Sequence, residues 1–163
     1  GSFIKYLGWS WLKNITLYAN LALIESKVTF DGNQSRTLQG QSPYVVNTSI
    51  FYENKKGWQV NASFNKIGQR IAYIGLPVSA AKFGLDIYEY GRSILDIQVA
   101  KKIGKNGLLR ITLGDLLAQK SVFYQDMNRN GKYDETSVLA GGDNTLISFT
   151  NGRTVNFGYS INF

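Results

Sequence analysis

The chain has 163 residues, with 18 Lys and Arg against 11 Asp and Glu, and it contains neither Cys nor His. The lack of cysteine excludes disulfides, thiolate metal sites and cysteine nucleophiles, and the lack of histidine removes the commonest general base and metal ligand together with Ser-His triads. The net charge of +7 is scattered, with pairs only at Lys55-Lys56 and Lys101-Lys102, so it reads as solvation and not as a nucleic-acid surface.

Aromatic residues make up 13% of the chain, Gly numbers 17 and Pro only 2, and Val, Ile, Thr, Tyr and Phe recur in short runs, as β structure requires. No apolar run reaches the roughly 18 residues of a membrane-spanning helix. The beginning shows no secretory signal pattern, and Gly1-Ser2 reads as a cloning remnant, so the true start is expected upstream.

In chain order, period-two alternation appears first in NITLYANLALIES, residues 14–26. There Ile15, Leu17, Ala19, Leu21 and Leu23 share one face and Asn14, Thr16, Tyr18 and Asn20 the other. SPYVVNTSIFYE, 42–53, sets Tyr44, Val46, Ile50 and Tyr52 against Asn47, Ser49 and Glu53. WQVNASFN, 58–65, sets Trp58, Val60, Ala62 and Phe64 against Gln59, Asn61, Ser63 and Asn65. SILDIQVA, 93–100, opposes Leu95, Ile97 and Val99 to Asp96 and Gln98, and LLRITLG, 108–114, opposes Leu109, Ile111 and Leu113 to Arg110 and Thr112. The last segment, RTVNFGYSINF at 153–163, alternates over ten positions, a pattern expected by chance about once in a thousand.

Six two-faced strands follow, and their connections are sorted. ENKKG at 53–57 and GKNG at 104–107 are hairpin turns, whereas 29–41, 71–92 and about 118–152 are long. Alternate connections of a meander lie at the same end, so every long link falls on one side and every short turn on the other. Transmembrane barrels have this asymmetry, with alternating apolar and polar strand faces and girdles of aromatic rings at the headgroup level. The expected architecture is therefore all-β: an antiparallel up-and-down meander forming the C-terminal part, about six strands, of a transmembrane β-barrel. Trp11, Tyr52 and Trp58 are its expected interfacial aromatics at the short-turn boundary, with Phe163 nearby. Six strands leave two open edges and such barrels start at eight, so the remaining strands are expected upstream.

Residues 38–47 (LQGQSPYVVN), 64–71 (FNKIGQRI), 87–99 (IYEYGRSILDIQV), 113–120 (LGDLLAQK) and the terminal GRTVNFGYSINF resemble the last strands of a Bacteroidetes-type TonB-dependent receptor. The resemblance extends from about residue 12 to the end. It implies a bacterial outer-membrane barrel of about twenty-two strands around an N-terminal plug. Such a barrel imports a scarce ligand with energy delivered through the TonB complex, and can carry a surface lipoprotein partner. The plug and the TonB-contacting segment are absent here. The end departs from that of starch-utilisation-type importers, so no glycan ligand is implied. The resemblance also implies that Phe157, Tyr159, Ile161 and Phe163 form the terminal signal read by the barrel assembly machinery, an edge strand recognised through alternate side chains.

Two other readings remain open: a soluble or surface-displayed β protein that binds a partner through its long loops, and an outer-membrane component of a secretion or adhesion assembly. DMNRNGKYDE at 126–135 is spaced like part of a calcium loop, with Asp126, Asn128, Asn130 and Asp134 as oxygen ligands and Gly131 at the turn. Its twelfth position is Ser137 where the bidentate Glu belongs, and the competing reading is a solvated turn. GKNG and LAGGDN lack the context of a phosphate-binding loop. Asp86, Glu89 and Asp115 could serve acid-base chemistry only if folding paired them, and no nucleophile motif accompanies them, so no enzyme is expected. The apolar link IAYIGLPVSAAKFGLDIYEYG is expected to fold over the rim or to pack against neighbouring loops or a partner.

Overall fold

The computed structural model describes residues 10–30, 34–79 and 82–162. A short 3-10 turn, Ser10–Asn14, leads into β1 (Ile15–Leu23), which is followed by β2 (Val28–Phe30), β3 (Gln34–Arg36), β4 (Tyr44–Glu53) and β5 (Trp58–Ile67). Next come β6 (Arg70–Tyr73), β7 (Pro77–Ser79), β8 (Lys82–Phe83), β9 (Ile87–Glu89) and β10 (Arg92–Ile103). The chain continues through β11 (Gly107–Gly114), β12 (Ser121–Gln125), β13 (Asn144–Phe149) and β14 (Thr154–Ile161). The fold is all-β and antiparallel.

Six strands make one sheet, the wall, in the order β1-β4-β5-β10-β11-β14. This is an up-and-down meander, because each long strand pairs with the next long strand in the chain. β4 joins β5 and β10 joins β11 through the expected tight turns, where Gly57 (φ 77) and Gly104 (φ 61) take the left-handed conformation. The described wall is open, with β1 and β14 at its edges.

The long links are not plain loops, as the sequence pattern had suggested. Their ends form a second sheet, the rim, in the order β13-β12-β9-β6. That order matches β14-β11-β10-β5 in the wall, so each rim strand is the continuation of a wall strand past a break. Alternation in these pieces is too short to read: β6 has four residues and β9 three. Hairpins β2-β3 and β7-β8 stand beyond them.

Glycines make the break possible. A Cβ on Gly91 would come within 2.8 Å of the Ile67 carbonyl oxygen, and one on Gly68 within 2.8 Å of the Tyr44 ring. Neither position accepts a side chain without displacing its neighbours.

The wall is one layer thick. Among the described residues the buried hydrophobics are Ile71, Ala100, Val122 and Tyr124, three of them in the rim. The accessible surface is 11759 Å², whereas a compact monomer of this mass exposes about 8,100 Å².

Candidate functional site

Register converts the sequence alternation into continuous rows. Leu17, Ile50, Ala62, Ile97, Leu113 and Val155 lie side by side across all six strands, and the adjacent row on that face is Ile15, Tyr52, Val60, Val99, Ile111 and Phe157. Toward the sheet edges these side chains stand in the open, Leu17 68% exposed and Phe157 75%, whereas Val60, Ala62, Ile97, Val99, Ile111 and Leu113 in the middle are half-buried. The opposite face carries the row Thr16, Phe51, Asn61, Gln98, Thr112 and Asn156. Polar side chains there satisfy one another: Ser49 Oγ donates to Asn61 Oδ1 at 2.8 Å, and Asn65 donates to Asn47. Val45, Phe51, Ile67 and Ile94 are apolar exceptions on this polar face.

The apolar face is bordered at both ends by a cation over an aromatic ring. At the short-turn end Lys101 Nζ sits 5.0 Å from the Trp58 ring centroid and also donates to the Lys56 carbonyl. At the rim end Lys66 Nζ lies 6.0 Å from the Tyr44 ring centroid. Both lysines are on the apolar face by register, Lys101 opposite Trp58 and Lys66 opposite Val46. From Trp58 to Lys66 the strand rises about 26 Å at 3.3 Å per residue.

Above that border the register runs on unshifted, with Ile67 opposite Arg92, Arg70 opposite Glu89 and Ile71 opposite Tyr88, so Ile71 and Tyr88 keep the parity of the polar face. They line one cleft together with Tyr90, Tyr44 and Lys66. On this side of the rim Tyr124 packs between Tyr88 and Tyr133, with centroids at 5.8 and 4.8 Å, and Tyr133 meets Tyr90 at 5.4 Å. Burial first, then the Asp143 and Asp126 carboxylates, hold the Tyr124 phenol well above its ordinary pKa.

The turn expected as a calcium loop supplies Tyr133. Folding does bring Asp126, Asn128, Asn130 and Asp134 together. Asp126 accepts the backbone N–H of Asn130 at 3.2 Å and of Gly131 at 2.8 Å, and Asp134 accepts from the side-chain amides of Asn128 and Asn130. Those two amides hold the Asp134 carboxyl below its usual range. Asp143, which sequence spacing did not reveal, braces the turn from outside, accepting the N–H of Met127 at 3.0 Å and of Asp134 at 2.8 Å. Ser137, at the twelfth position, starts a 3-10 turn and its side chain caps nothing. Among the described residues no three acidic, His or Cys side chains converge as a metal centre requires.

The other expected residues are placed as follows. Tyr52 and Trp58 lie on the apolar face at the short-turn end. Trp11 falls in the 3-10 turn before β1, its side chain outside the described part. Phe157, Tyr159 and Ile161 lie exposed on the apolar face of the edge strand β14, and Phe163 lies outside the described residues. Asp86, Glu89 and Asp115 each face a different arginine: Arg36 at 3.2 Å, Arg70 at 2.7 Å and Arg92 at 3.8 Å. They form ion pairs and not an acid-base couple. Asp86 also accepts the Gly75 N–H, and Gln39 donates to the Ala72 carbonyl, so the first two long links are tied together. No protein-family model, curated protein or solved structure matches this chain.

Proposed function

We propose that the six-stranded sheet is wall of an outer-membrane β-barrel and that the protein is a TonB-dependent receptor, importing a scarce ligand past loops of the kind seen at the rim. The observation that carries this reading is the uncovered apolar face. Leaving Leu17, Leu21, Leu23, Ile50, Val155, Phe157, Tyr159 and Ile161 between 49% and 76% exposed forfeits roughly 7–15 kcal/mol together, at about 1.5–3 kcal/mol for each side chain fully buried, as much as the typical net stability of a domain, about 5–15 kcal/mol. Lipid tails cover such a face at no cost in polar desolvation. The polar face then looks into a lumen, and the free edges of β1 and β14 pair with further strands of the barrel.

The bordered width supports the same reading. About 26 Å along a strand, tilted by about 40°, gives a band roughly 20 Å tall, close to the ~25 Å apolar band of outer-membrane barrels. The uptake role itself rests on the sequence resemblance. An antibody to the last residues, used on isolated outer membranes, tests it. The expected product is a polypeptide several times the size of this chain, carrying a plug; recovery of a membrane product no larger than 18.2 kDa would defeat the receptor reading.

A further inference from the structure

Asn-Gly pairs occur at 106–107, 130–131 and 151–152. Asparagine is thermolabile, and a following glycine leaves the backbone nitrogen unshielded by any side chain and free to approach the asparagine amide. All three asparagines are exposed, so solvent access does not separate them. Hydrogen bonding does. The Asn130 amide nitrogen donates to Asp134 Oδ2 at 2.6 Å, and its oxygen accepts the Lys132 N–H at 2.7 Å. The Gly131 N–H donates to Asp126 Oδ2 at 2.8 Å, and a carboxylate beside that nitrogen opposes loss of its proton. Gly107 is held in β11 between Ile103 and Ile161, and the Asn106 carbonyl accepts the Asn162 N–H at 3.0 Å. Asn151 and Gly152, in contrast, lie between β13 and β14 and make no hydrogen bond among the described residues. Gly152 takes the left-handed conformation at φ 80, and a Cβ there would meet nothing within 4 Å.

We propose that Asn151 is a site of spontaneous covalent modification, converting to isoaspartate or aspartate through a cyclic imide. The Gly152 nitrogen loses its proton to solvent and bonds to Asn151 Cγ, and the Cγ–Nδ2 bond breaks to release ammonia. Water then adds to either carbonyl of the ring and reopens it. One water is consumed, the ammonia leaves as ammonium, and the chain gains one carboxylate. The isoaspartyl product also adds one carbon to the backbone just ahead of β14. The new charge stands two residues from Arg153, whose Nε donates to the Leu116 carbonyl at 2.8 Å and clasps the two ends of the third long link together. A carboxylate there competes with that carbonyl for the guanidinium, so the modification loosens the clasp.

The test incubates the full folded polypeptide in heavy-oxygen water at mildly alkaline pH and follows label entry at each asparagine by peptide mass spectrometry. Label should enter at Asn151 roughly tenfold or more faster than at Asn130, the factor expected from one hydrogen bond to a charged group. Asn106 should fall between them. In denaturant the three rates should converge, because the dipeptide is the same. Asp126→Asn weakens the hold on the Gly131 N–H, and should raise the rate at Asn130 while leaving Asn151 unchanged. If that variant fails to fold, the contrast between folded and denatured wild type still decides. Equal rates at the three positions in the folded protein, a fastest rate at Asn130, or reaction at Asn151 only after denaturation would overturn the proposal.

Discussion

Tyr124 has no exposed surface, and among the described residues its hydroxyl finds no hydrogen-bond partner. An orphaned buried hydroxyl costs about 1–3 kcal/mol relative to a satisfied one. Tyr124→Phe keeps the ring packing against Tyr88 and Tyr133 and removes that cost, so thermal unfolding of the variant should shift upward or stay level. The pH dependence has a definite sign. The phenol ionises at about 10 in the unfolded chain and higher in the fold, so the unfolded state loses its proton first. Stability therefore falls as pH rises above about 10 in wild type, and Tyr124→Phe should flatten that fall. A downward shift of the variant at neutral pH would mean that the hydroxyl has a partner after all.

The 126–143 turn is an element held almost wholly by carboxylates and backbone N–H groups. The Asp134 carboxyl, kept below its ordinary pKa by Asn128 and Asn130, contributes stability that is present above the unfolded value of about 3.9 and lost as pH falls through the lower folded value. Amide exchange in the turn should accelerate in acid, and Asp134→Asn should remove that acid step; identical acid profiles for both would count against the bracing. β14 gives a second test at this scale. If the terminal strand is the assembly signal, Phe163→Ala lowers the amount of protein inserted in membranes more than Val155→Ala does, and equal yields of the two variants would contradict it.

Legibility in sequence differed between these elements for a physical reason. Each wall strand has eight or more residues, and one exposed apolar face against one polar face is a signal that alternation reports directly. The predicted segment at 14–26 became Ile15–Leu23 and the one at 93–100 became Arg92–Ile103. Rim strands of three to six residues carry too few alternations. The pairing of β5 with β10 passes into that of β6 with β9 without a register shift, so the rim was hidden by the shortness of its strands and by the break at Gly68 and Gly91. Asp143 was missed because it reaches the turn across the strand pair β12-β13 and not at a fixed loop spacing.

For the molecule as a whole, the proposed barrel wall would be a boundary between two media. Two of its apolar rows run from β1 to β14, polar side chains of β4 and β5 hydrogen-bond across the opposite face, and lysines mark both ends of the apolar side. A surface protein that binds through its loops would need something else to cover that face. The absence of native cysteine makes the discrimination direct, because any introduced thiol is the only one in this segment. The decisive measurement places single spin-labelled cysteines at successive positions of β11, Leu109 to Leu113, in the membrane-embedded polypeptide and compares collision with oxygen and with a water-soluble relaxant. The account predicts a period of two, with Leu109, Ile111 and Leu113 accessible to lipid-dissolved oxygen and Arg110 and Thr112 accessible to the aqueous reagent. Equal aqueous accessibility at all five positions would contradict it.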